Sequence, residues 1–230
     1  MSEIRIAIIG LGYVGLPLAC EFGNKNNTIG YDINPDRILE INNFYDSTNE
    51  LSSDKIELSL KSNLIVTSDE NLLSEANYFI VTVPTPVDVS KKPDLMPIIE
   101  ATELISKYIK NGDIIVYEST VYPGCTEEVC VPIIEKISGY KLNDQFYVGY
   151  SPERINPGDK KHTLVSIKKV ISGSNKMCLD KLEILYSSII NAGLFKASTI
   201  KVAEAAKVIE NAQRDINIAF INELAILFNI

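Results

Sequence analysis

The sequence lacks the sets of residues that metal centres and disulfide scaffolds require. Its one histidine, His162, sits in a polar run at residues 158–162, whereas a zinc site needs several converging ligands. The cysteines are irregularly spaced and form no C-x-x-C pair, which is typical of buried thiols rather than disulfides: Cys20, Cys125, Cys130 and Cys178. We therefore predict no bound metal and interpret His162 as part of a solvated loop.

Long apolar runs and excess positive charge are also absent. No run reaches about 18 apolar residues, so no transmembrane helix is expected. The chain enters a strand pattern with no basic region and apolar signal core before it. The net charge of −8 argues against a nucleic-acid or anionic-membrane surface. We expect a cytoplasmic protein, and its 46% hydrophobic residues suffice for a buried core.

The N-terminal segment carries a glycine motif in an informative context. An apolar run at residues 4–9 leads into Gly10-Leu11-Gly12-Tyr13-Val14-Gly15, a helical pattern follows at residues 16–23, and Asp32 closes a second apolar run. A lone G-x-G-x-x-G is a weak signal, but a strand before it, a helix after it and an acid 20 residues past Gly12 indicate a dinucleotide site. A carboxylate there accepts the ribose hydroxyls and repels a 2′-phosphate, which favours NAD over NADP.

Each glycine of the motif has an expected role. Gly10 permits the tight turn, Gly12 lets backbone N–H groups approach a pyrophosphate, and Gly15 allows the helix to pack closely on the strand. The helix N-terminus would then face the phosphates with its partial positive charge. The alternative is a glycine-rich turn that holds no ligand.

Strand and helix patterns alternate along the chain, which is typical of an α/β protein with a doubly wound parallel sheet, a Rossmann-like fold. Strands are predicted at residues 64–68, 78–83, 114–118, 147–151 and 170–173, and helices at 47–60, 96–110 and 176–191, with Asn34 capping a helix that starts at Pro35. Polar or proline-rich segments end three of the strands. Ligands collect at the carboxyl ends of strands in such sheets, so these segments are candidate walls of one cleft, or else ordinary turns.

The last part of the chain reads as one long helix over residues 199–230. Lys207, Asn211 and Arg214 recur at helical spacing and share a stripe, and the apolar run from Ile218 has no glycine cap. We divide the chain into a cofactor domain at 1–198 and the beginning of a central helical domain at 199–230. Because so apolar a helix needs a covering partner, we expect the sequence to be truncated.

These segments resemble the N-terminal half of the UDP-glucose/GDP-mannose dehydrogenase family, which comprises NAD-dependent nucleotide-sugar 6-dehydrogenases. The matching segments follow the family's order: the glycine motif, Asp32, Val83-Pro84-Thr85-Pro86, Glu118-Ser119-Thr120-Val121-Tyr122-Pro123-Gly124, Ser151-Pro152-Glu153-Arg154-Ile155, Ala206-Lys207-Val208-Ile209-Glu210-Asn211 and Ala219-Phe220-Ile221-Asn222-Glu223. The continuation Asn156-Pro157-Gly158-Asp159 resembles the branch that acts on UDP-N-acetylhexosamines.

The resemblance implies a reaction for the complete family protein. The C6 alcohol of a UDP-sugar is oxidised to an aldehyde and then to a carboxylate for polysaccharide biosynthesis, with two NAD reduced and a cysteine thioester formed on the way. The family carries that cysteine in a Gly-Gly-His-Cys-Ile segment beyond the central helix, and this sequence has no such segment. The UDP-binding C-terminal domain is missing too. We therefore expect the chain to be inactive in isolation and to form a homodimer through the central helix.

The resemblance also implies roles for residues of this chain. Glu153 is the candidate general base for the water that cleaves the thioester, and Thr120 would hold that water. Lys207 and Asn211 would donate to the oxyanion at C6, and Arg154 joins Glu153, Lys207 and Asn211 as substrate-binding. The implied cofactor contacts are Gly10, Gly12, Tyr13, Val14, Gly15, Asp32, Arg37, Val83, Pro84, Thr85, Ser119 and Thr120.

Other interpretations stay open at this point. By the sequence pattern alone, Lys207 and Asn211 fit a solvated helix stripe and Glu153 fits a surface loop. The chain could be a non-catalytic NAD-binding or dimerisation module that uses its apolar helix. A hydroxyacid dehydrogenase of related fold also uses lysine and asparagine on an interdomain helix, although the Ser-Pro-Glu-Arg-Ile segment argues against it.

Overall fold

The computed structural model describes residues 3–87, 92–154 and 164–228, in which strands and helices alternate. The strands are β1 (Arg5–Ile9), β2 (Asn27–Tyr31), β3 (Leu64–Thr67), β4 (Tyr78–Val81), β5 (Asp113–Tyr117), β6 (Phe146–Tyr150), β7 (Lys169–Gly173) and β8 (Leu194–Lys196). The helices are α1 (Gly15–Gly23), α2 (Pro35–Asn42), α3 (Ser53–Lys61), α4 (Met96–Ser106), α5 (Val131–Ser138), α6 (Lys176–Ser187) and α7 (Ile200–Phe228).

The strands form one sheet in the order β3-β2-β1-β4-β5-β6-β7-β8. Its neighbours are parallel from β3 to β6, as the alternation predicts, and β7 pairs with β8 in parallel. The predicted parallel sheet is confirmed with one antiparallel pair, since β7 runs antiparallel to β6 with Tyr150 opposite Ser172. The first residue of β7 therefore lies at the sheet edge where β5 and β6 end.

Both faces of the sheet are covered, which explains why its strands read as nearly continuous apolar runs. Ile6 and Ile8 of β1 pack on one side with residues of α1 and α6. Ala7 and Ile9 point to the other side and pack with residues of α4 and α5. Side chains alternate between faces along a strand, so β1 contributes to two hydrophobic cores.

The second helix begins as predicted, but the next one does not. Asn34 accepts a hydrogen bond from the Asp36 amide with Pro35 at the first helical position. The helix predicted at residues 47–60 is confined to Ser53–Lys61. Before it, the Asp46 carboxylate accepts backbone N–H groups of Thr48, Glu50 and Leu51, which gives this segment a turn instead of helical hydrogen bonds.

Several further differences concern helix ends and short elements. α4 ends at Ser106 and α6 at Ser187, before the predicted limits of 110 and 191. The sequence patterns did not predict the π-helical turn Thr126–Cys130, α5 or the three-residue β8. The long C-terminal helix is present as α7, of which Ile200, Ala203 and Glu204 are buried. No helix in the described parts of the chain is long and apolar enough to span a membrane.

Candidate cofactor-binding and catalytic site

The segments that follow β1, β2, β4, β5 and β6 meet at the carboxyl edge of the sheet and border two adjoining cavities. The larger cavity, of about 590 Å³, lies beside the glycine turn and Asp32. The smaller one, of about 300 Å³, lies over the ends of β5 and β6 and reaches α7. Both are lined by the same central residues: Gly12, Thr48, Thr82, Val83 and Pro84.

The glycine turn has the backbone geometry that a bound dinucleotide needs. Gly10 has a φ of 92°, in the left-handed region that favours glycine. A Cβ on Gly15 would stand 1.8 Å from the Gly10 carbonyl oxygen and 2.5 Å from the Thr82 hydroxyl, so only glycine lets α1 start this close to the turn. A Cβ on Gly12 would meet nothing within 4 Å, because Gly12 borders open cavity. The residues present therefore fit a pyrophosphate at the start of α1.

Asp32 is held rigidly at the rim of the larger cavity. Its Oδ2 accepts the Leu11 amide at 2.8 Å and its Oδ1 accepts the Asn34 amide at 2.9 Å. The first bond ties the acid to the glycine turn and the second ties it to the start of α2. Each carboxylate oxygen keeps a further lone pair, so the acid can still accept hydroxyl donors from a ligand.

Arg37 lines the same cavity, but its guanidinium is engaged within the protein. Its Nε donates to the Leu11 carbonyl at 2.9 Å, and its terminal nitrogens donate to Glu40 at 3.0 Å and Asp46 at 2.7 Å. Burial disfavours the charged form, but these acceptors outweigh it and raise the pKa of Arg37. An arginine held in this way braces the turn and is poorly placed to neutralise a 2′-phosphate.

The smaller cavity brings together most of the predicted catalytic and nicotinamide-end residues. Its lining includes Tyr13, Val14, Thr85, Ser119, Thr120, Glu153 and Lys207. Two bonds join the loops after β4 and β5, from the Ser119 hydroxyl to the Val83 carbonyl at 2.6 Å and from the Thr85 hydroxyl to the Thr120 carbonyl at 2.6 Å. Thr120 is exposed at this rim, so its side chain is accessible to a ligand or a water.

Lys207 approaches Glu153 across the cavity from α7. Its Nζ donates to the main-chain carbonyl oxygen of Glu153 at 2.5 Å. Burial lowers the pKa of Lys207, an effect that the nearby Glu210 and Glu153 oppose. A lysine placed this way offers a partly desolvated cation to an oxygen in the cavity.

Two predicted substrate residues lie outside this lining. Asn211 is exposed one turn further along α7 and borders neither cavity. The Arg154 side chain turns away to pair with Glu210 at 3.1 Å, although its amide donates to the Glu153 carboxylate. The continuation from Ile155 to Asp159 and the predicted loop at His162 lie outside the described residues.

The sequence patterns do not predict a group of buried charged side chains that lies behind Glu153. Lys169, the first residue of β7, contacts Glu118 at 2.8 Å and Glu153 at 3.2 Å, and Glu118 also accepts the Tyr186 hydroxyl. Burial raises the pKa of Glu118 against the opposing effect of Lys169. For Lys169, burial lowers the pKa, but the two carboxylates outweigh it and the net shift is upward. A lysine opening an otherwise apolar strand was the one signal available in the sequence.

None of the four cysteines lines either cavity. All four are free and buried: Cys20, Cys125, Cys130 and Cys178. Burial raises the pKa of Cys20 and of Cys178 to about 11, which suppresses the reactive thiolate. A hydrogen bond with Cys125 lowers the pKa of Cys130, but this thiol is buried and lines neither cavity. Within the described ranges, no group of three or more histidine, cysteine or acidic residues could hold a metal ion.

Comparison with known proteins identifies the family. Residues 4–190 match the model of the UDP-glucose/GDP-mannose dehydrogenase family, NAD binding domain. The chain belongs to the UDP-glucose/GDP-mannose dehydrogenase family. It therefore contains that family's NAD-binding domain, in agreement with the glycine turn and Asp32.

Relatives in this family match the chain over its whole length. It is 58% identical over 229 residues to a UDP-N-acetyl-D-glucosamine 6-dehydrogenase of Pseudomonas aeruginosa, covering 100% of this chain and 54% of that protein. It is 55% identical to Protein CapL of Staphylococcus aureus, covering 98% of this chain and 52% of that protein. The chain thus spans about half the length of the curated relatives it matches.

A solved structure from the family confirms the fold. The UDP-D-ManNAc dehydrogenase of Pyrococcus horikoshii superposes with a TM-score of 0.91 at 33% identity, over 97% of this chain and 54% of that one. The Rossmann-like α/β fold predicted from the alternation is therefore confirmed, with the antiparallel β7 as its exception.

Proposed function

We propose that the chain is the cofactor-binding part of an NAD-dependent UDP-sugar 6-dehydrogenase that oxidises the C6 alcohol of a UDP-N-acetylhexosamine to the uronic acid. The observation that carries the proposal is the junction of the two cavities through Gly12, Val83 and Pro84. A dinucleotide that lies along the glycine turn is thereby directed toward Thr120, Glu153 and Lys207.

Residues around that junction have separate roles in cofactor binding. Asp32 accepts the adenosine ribose hydroxyls, and Gly12 lets the backbone approach the pyrophosphate. Arg37 acts by bracing the glycine turn, since its guanidinium is already bound to Leu11, Glu40 and Asp46. The nicotinamide ring of bound NAD supplies the hydride acceptor, once for the alcohol and once for the aldehyde level.

The candidate catalytic groups stabilise negative charge on the substrate and transfer a proton. Lys207 stabilises negative charge on the C6 oxygen, and Asn211 would join it by turning from its exposed position. Glu153 takes a proton from the water that Thr120 holds, and that water cleaves a thioester at C6. The buried thiols are unsuited to form this thioester, so we place the nucleophilic cysteine outside these 230 residues.

The proposal also covers the cellular compartment, the oligomeric state and the domain division of the protein. Four free thiols agree with a reducing compartment, which supports a cytoplasmic location. Exposed apolar side chains on α7 support pairing of two copies along this helix: Ile216, Ile218, Phe220, Ile221, Ile226 and Leu227. We also keep the division at residue 199, because α7 begins at Ile200 and, after a buried first turn, becomes largely exposed.

The test uses a joined protein, in which residues 1–230 are followed by the part of the Pseudomonas aeruginosa relative beyond the match. We expect absorbance at 340 nm to report two NADH per UDP-N-acetylhexosamine, with no turnover by the 230-residue chain alone. The complete Pseudomonas aeruginosa relative is the positive control.

The competing functions predict different results in that assay. A hydroxyacid dehydrogenase would yield one NADH per substrate. The exposed apolar face of α7 favours, as a second candidate, a non-catalytic module that binds NAD and associates through this helix. That module would bind NAD without turnover in the joined protein, and this result would refute the dehydrogenase.

A further inference from the structure

We propose that Lys169 is a positioning residue, which holds the Glu153 carboxylate ionised and oriented toward the smaller cavity from the side of the sheet. The inference rests on the proposed role of Glu153 as the general base. It assigns a function to a buried cation that lines neither of the two cavities, unlike Lys207, which lines the smaller one.

The contacts of Lys169 define the arrangement. Its Nζ lies 3.2 Å from Glu153 Oε2 and 2.8 Å from Glu118 Oε2, and 5.5 Å from the centre of the Tyr186 ring. The Lys169 side chain is 4% exposed, so solvent screens these contacts little. The ammonium therefore occupies a nearly dry position between two carboxylates and an aromatic face.

The far side of the group fixes Lys169 itself. Glu118 is fully buried at the end of β5, with Oε2 on Lys169 and Oε1 accepting the Tyr186 hydroxyl. Glu118 follows β5 and Tyr186 belongs to α6, so two elements of the fold fix the position of the Lys169 ammonium independently of Glu153. Of the remaining contacts of Glu153, the Arg154 amide lies 2.5 Å from Oε1.

Such a group is poorly explained as a device for stability. A buried ion pair stabilises a fold about as well as apolar residues of the same volume, or less well. Here two carboxylates share one ammonium, which adds the cost of like charges in a dry site. A general base at this position must be ionised to accept a proton. Burial favours its protonated form, and an adjacent cation favours the ionised form, so the arrangement keeps the base active.

The ionisation of Glu153 responds to every charged group packed against it. Among the described residues, these groups include the Lys169 cation and the opposing Glu118 on the sheet side, Tyr186 from α6, Lys207 from α7 and the neighbouring Arg154. Of these, Lys169 and Glu118 occupy the same buried group but carry opposite charge. Their substitution therefore separates an electrostatic role from a packing role.

The first experiment needs no turnover. The 230-residue chain is labelled with ¹³C at its glutamate carboxyls, and the Glu153 resonance is identified by its loss in E153Q. In K169M we expect the Glu153 titration midpoint to rise by about one to three pH units, because an opposite charge at contact distance is removed. K169R, which keeps the cation, should return the midpoint toward that of the unchanged chain.

The matched control is E118Q, which disturbs the same buried group but removes a like charge. Its Glu153 midpoint should stay level or fall. If K169M leaves the Glu153 midpoint unchanged, or if E118Q raises it as much as K169M does, the role of Lys169 is refuted and the group is structural.

The second experiment uses the joined protein. K169M should lower kcat for UDP-N-acetylhexosamine oxidation more than it changes KM, and should move the acid limb of the kcat/KM profile upward in pH by the shift seen in the carboxyl titration. An unmoved acid limb would refute the proposal. If the unchanged joined protein gave no turnover while the complete relative did, the proposed function would fail, and the carboxyl titration would still decide what Lys169 does.

Discussion

Replacing Asp32 by asparagine is the sharpest test of the cofactor site. The carboxylate is fixed by the Leu11 and Asn34 amides at 2.8 and 2.9 Å, so its remaining lone pairs are directed to the cavity. Asparagine keeps one acceptor oxygen and loses the charge. Since a hydrogen bond to a charged group contributes about 1.5–3 kcal/mol, we expect NAD binding to weaken by about 2 kcal/mol, or about 30-fold in Kd.

The same substitution should change the preference between cofactors. A unit charge 4 Å from another interacts by about 1 kcal/mol even at the dielectric constant of water. Removing the carboxylate therefore improves NADP binding by about fivefold or more while NAD binding falls. Because Arg37 is bound internally, we expect no strong gain in NADP affinity beyond this relief of repulsion.

The assay is calorimetric titration of the 230-residue chain with NAD and NADP, with thermal unfolding followed by circular dichroism. The matched control is Asp36→Asn, an exposed position in the first turn of α2 that makes the same change in net charge. Asp36→Asn should bind NAD as the unchanged chain does. If folded Asp32→Asn binds NAD with unchanged affinity, the carboxylate does not contact the ribose, and the assignment of the larger cavity fails.

The remaining predictions concern the turn, its brace and the thiols. Gly15→Ala should lower the free energy of unfolding by about 3 kcal/mol or more in chemical denaturation, since its Cβ would overlap the Gly10 carbonyl. Gly12→Ala should keep the melting temperature of the unchanged chain, because its Cβ meets no protein atom, but should lose NAD binding in calorimetry. Burial opposes ionisation of Asp46, but hydrogen bonds from Thr48 and Arg37 outweigh it and hold its pKa below the usual value. The stabilising effect of the Asp46 carboxylate is therefore present above its unfolded-state pKa and lost as pH falls through its folded-state pKa. Asp46→Asn should lower the free energy of unfolding by about 3 kcal/mol at pH 7 and progressively less at acid pH, measured by urea unfolding. A difference that stays constant with pH would contradict this. All four cysteines should resist a thiol-reactive dye until denaturant is added, and rapid labelling of the native chain would contradict their burial.

Much of the cofactor half could be predicted because its signals are local. The apolar run of β1, the glycine turn and the start of α1 follow one another in the chain, and Asn34 with Pro35 marks the next helix start. Helix ends and short elements were less predictable. At residues 47–52 a single side chain, Asp46, decides between turn and helix by taking backbone hydrogen bonds.

Contacts between distant segments were not predictable from any local pattern. Glu204 on α7 accepts the Gly124 and Thr126 amides, 80 and 78 residues away, and so holds α7 against the loop that follows β5. This contact helps to set where Lys207 stands relative to Glu153. Asn211 shares the helix stripe with Lys207 by spacing, yet only Lys207 reaches the cavity.

The sequence by itself determined the strand–turn–helix unit, the dinucleotide fingerprint and the family, because these depend on residue order over short stretches. The tertiary structure alone decided which charges stand behind Glu153. Strand periodicity indicates which residues alternate between faces but carries no direction, so Lys169 could have lain at either edge of the sheet. The antiparallel pairing of β7 with β6 places it at the carboxyl edge, within reach of Glu118 and Glu153.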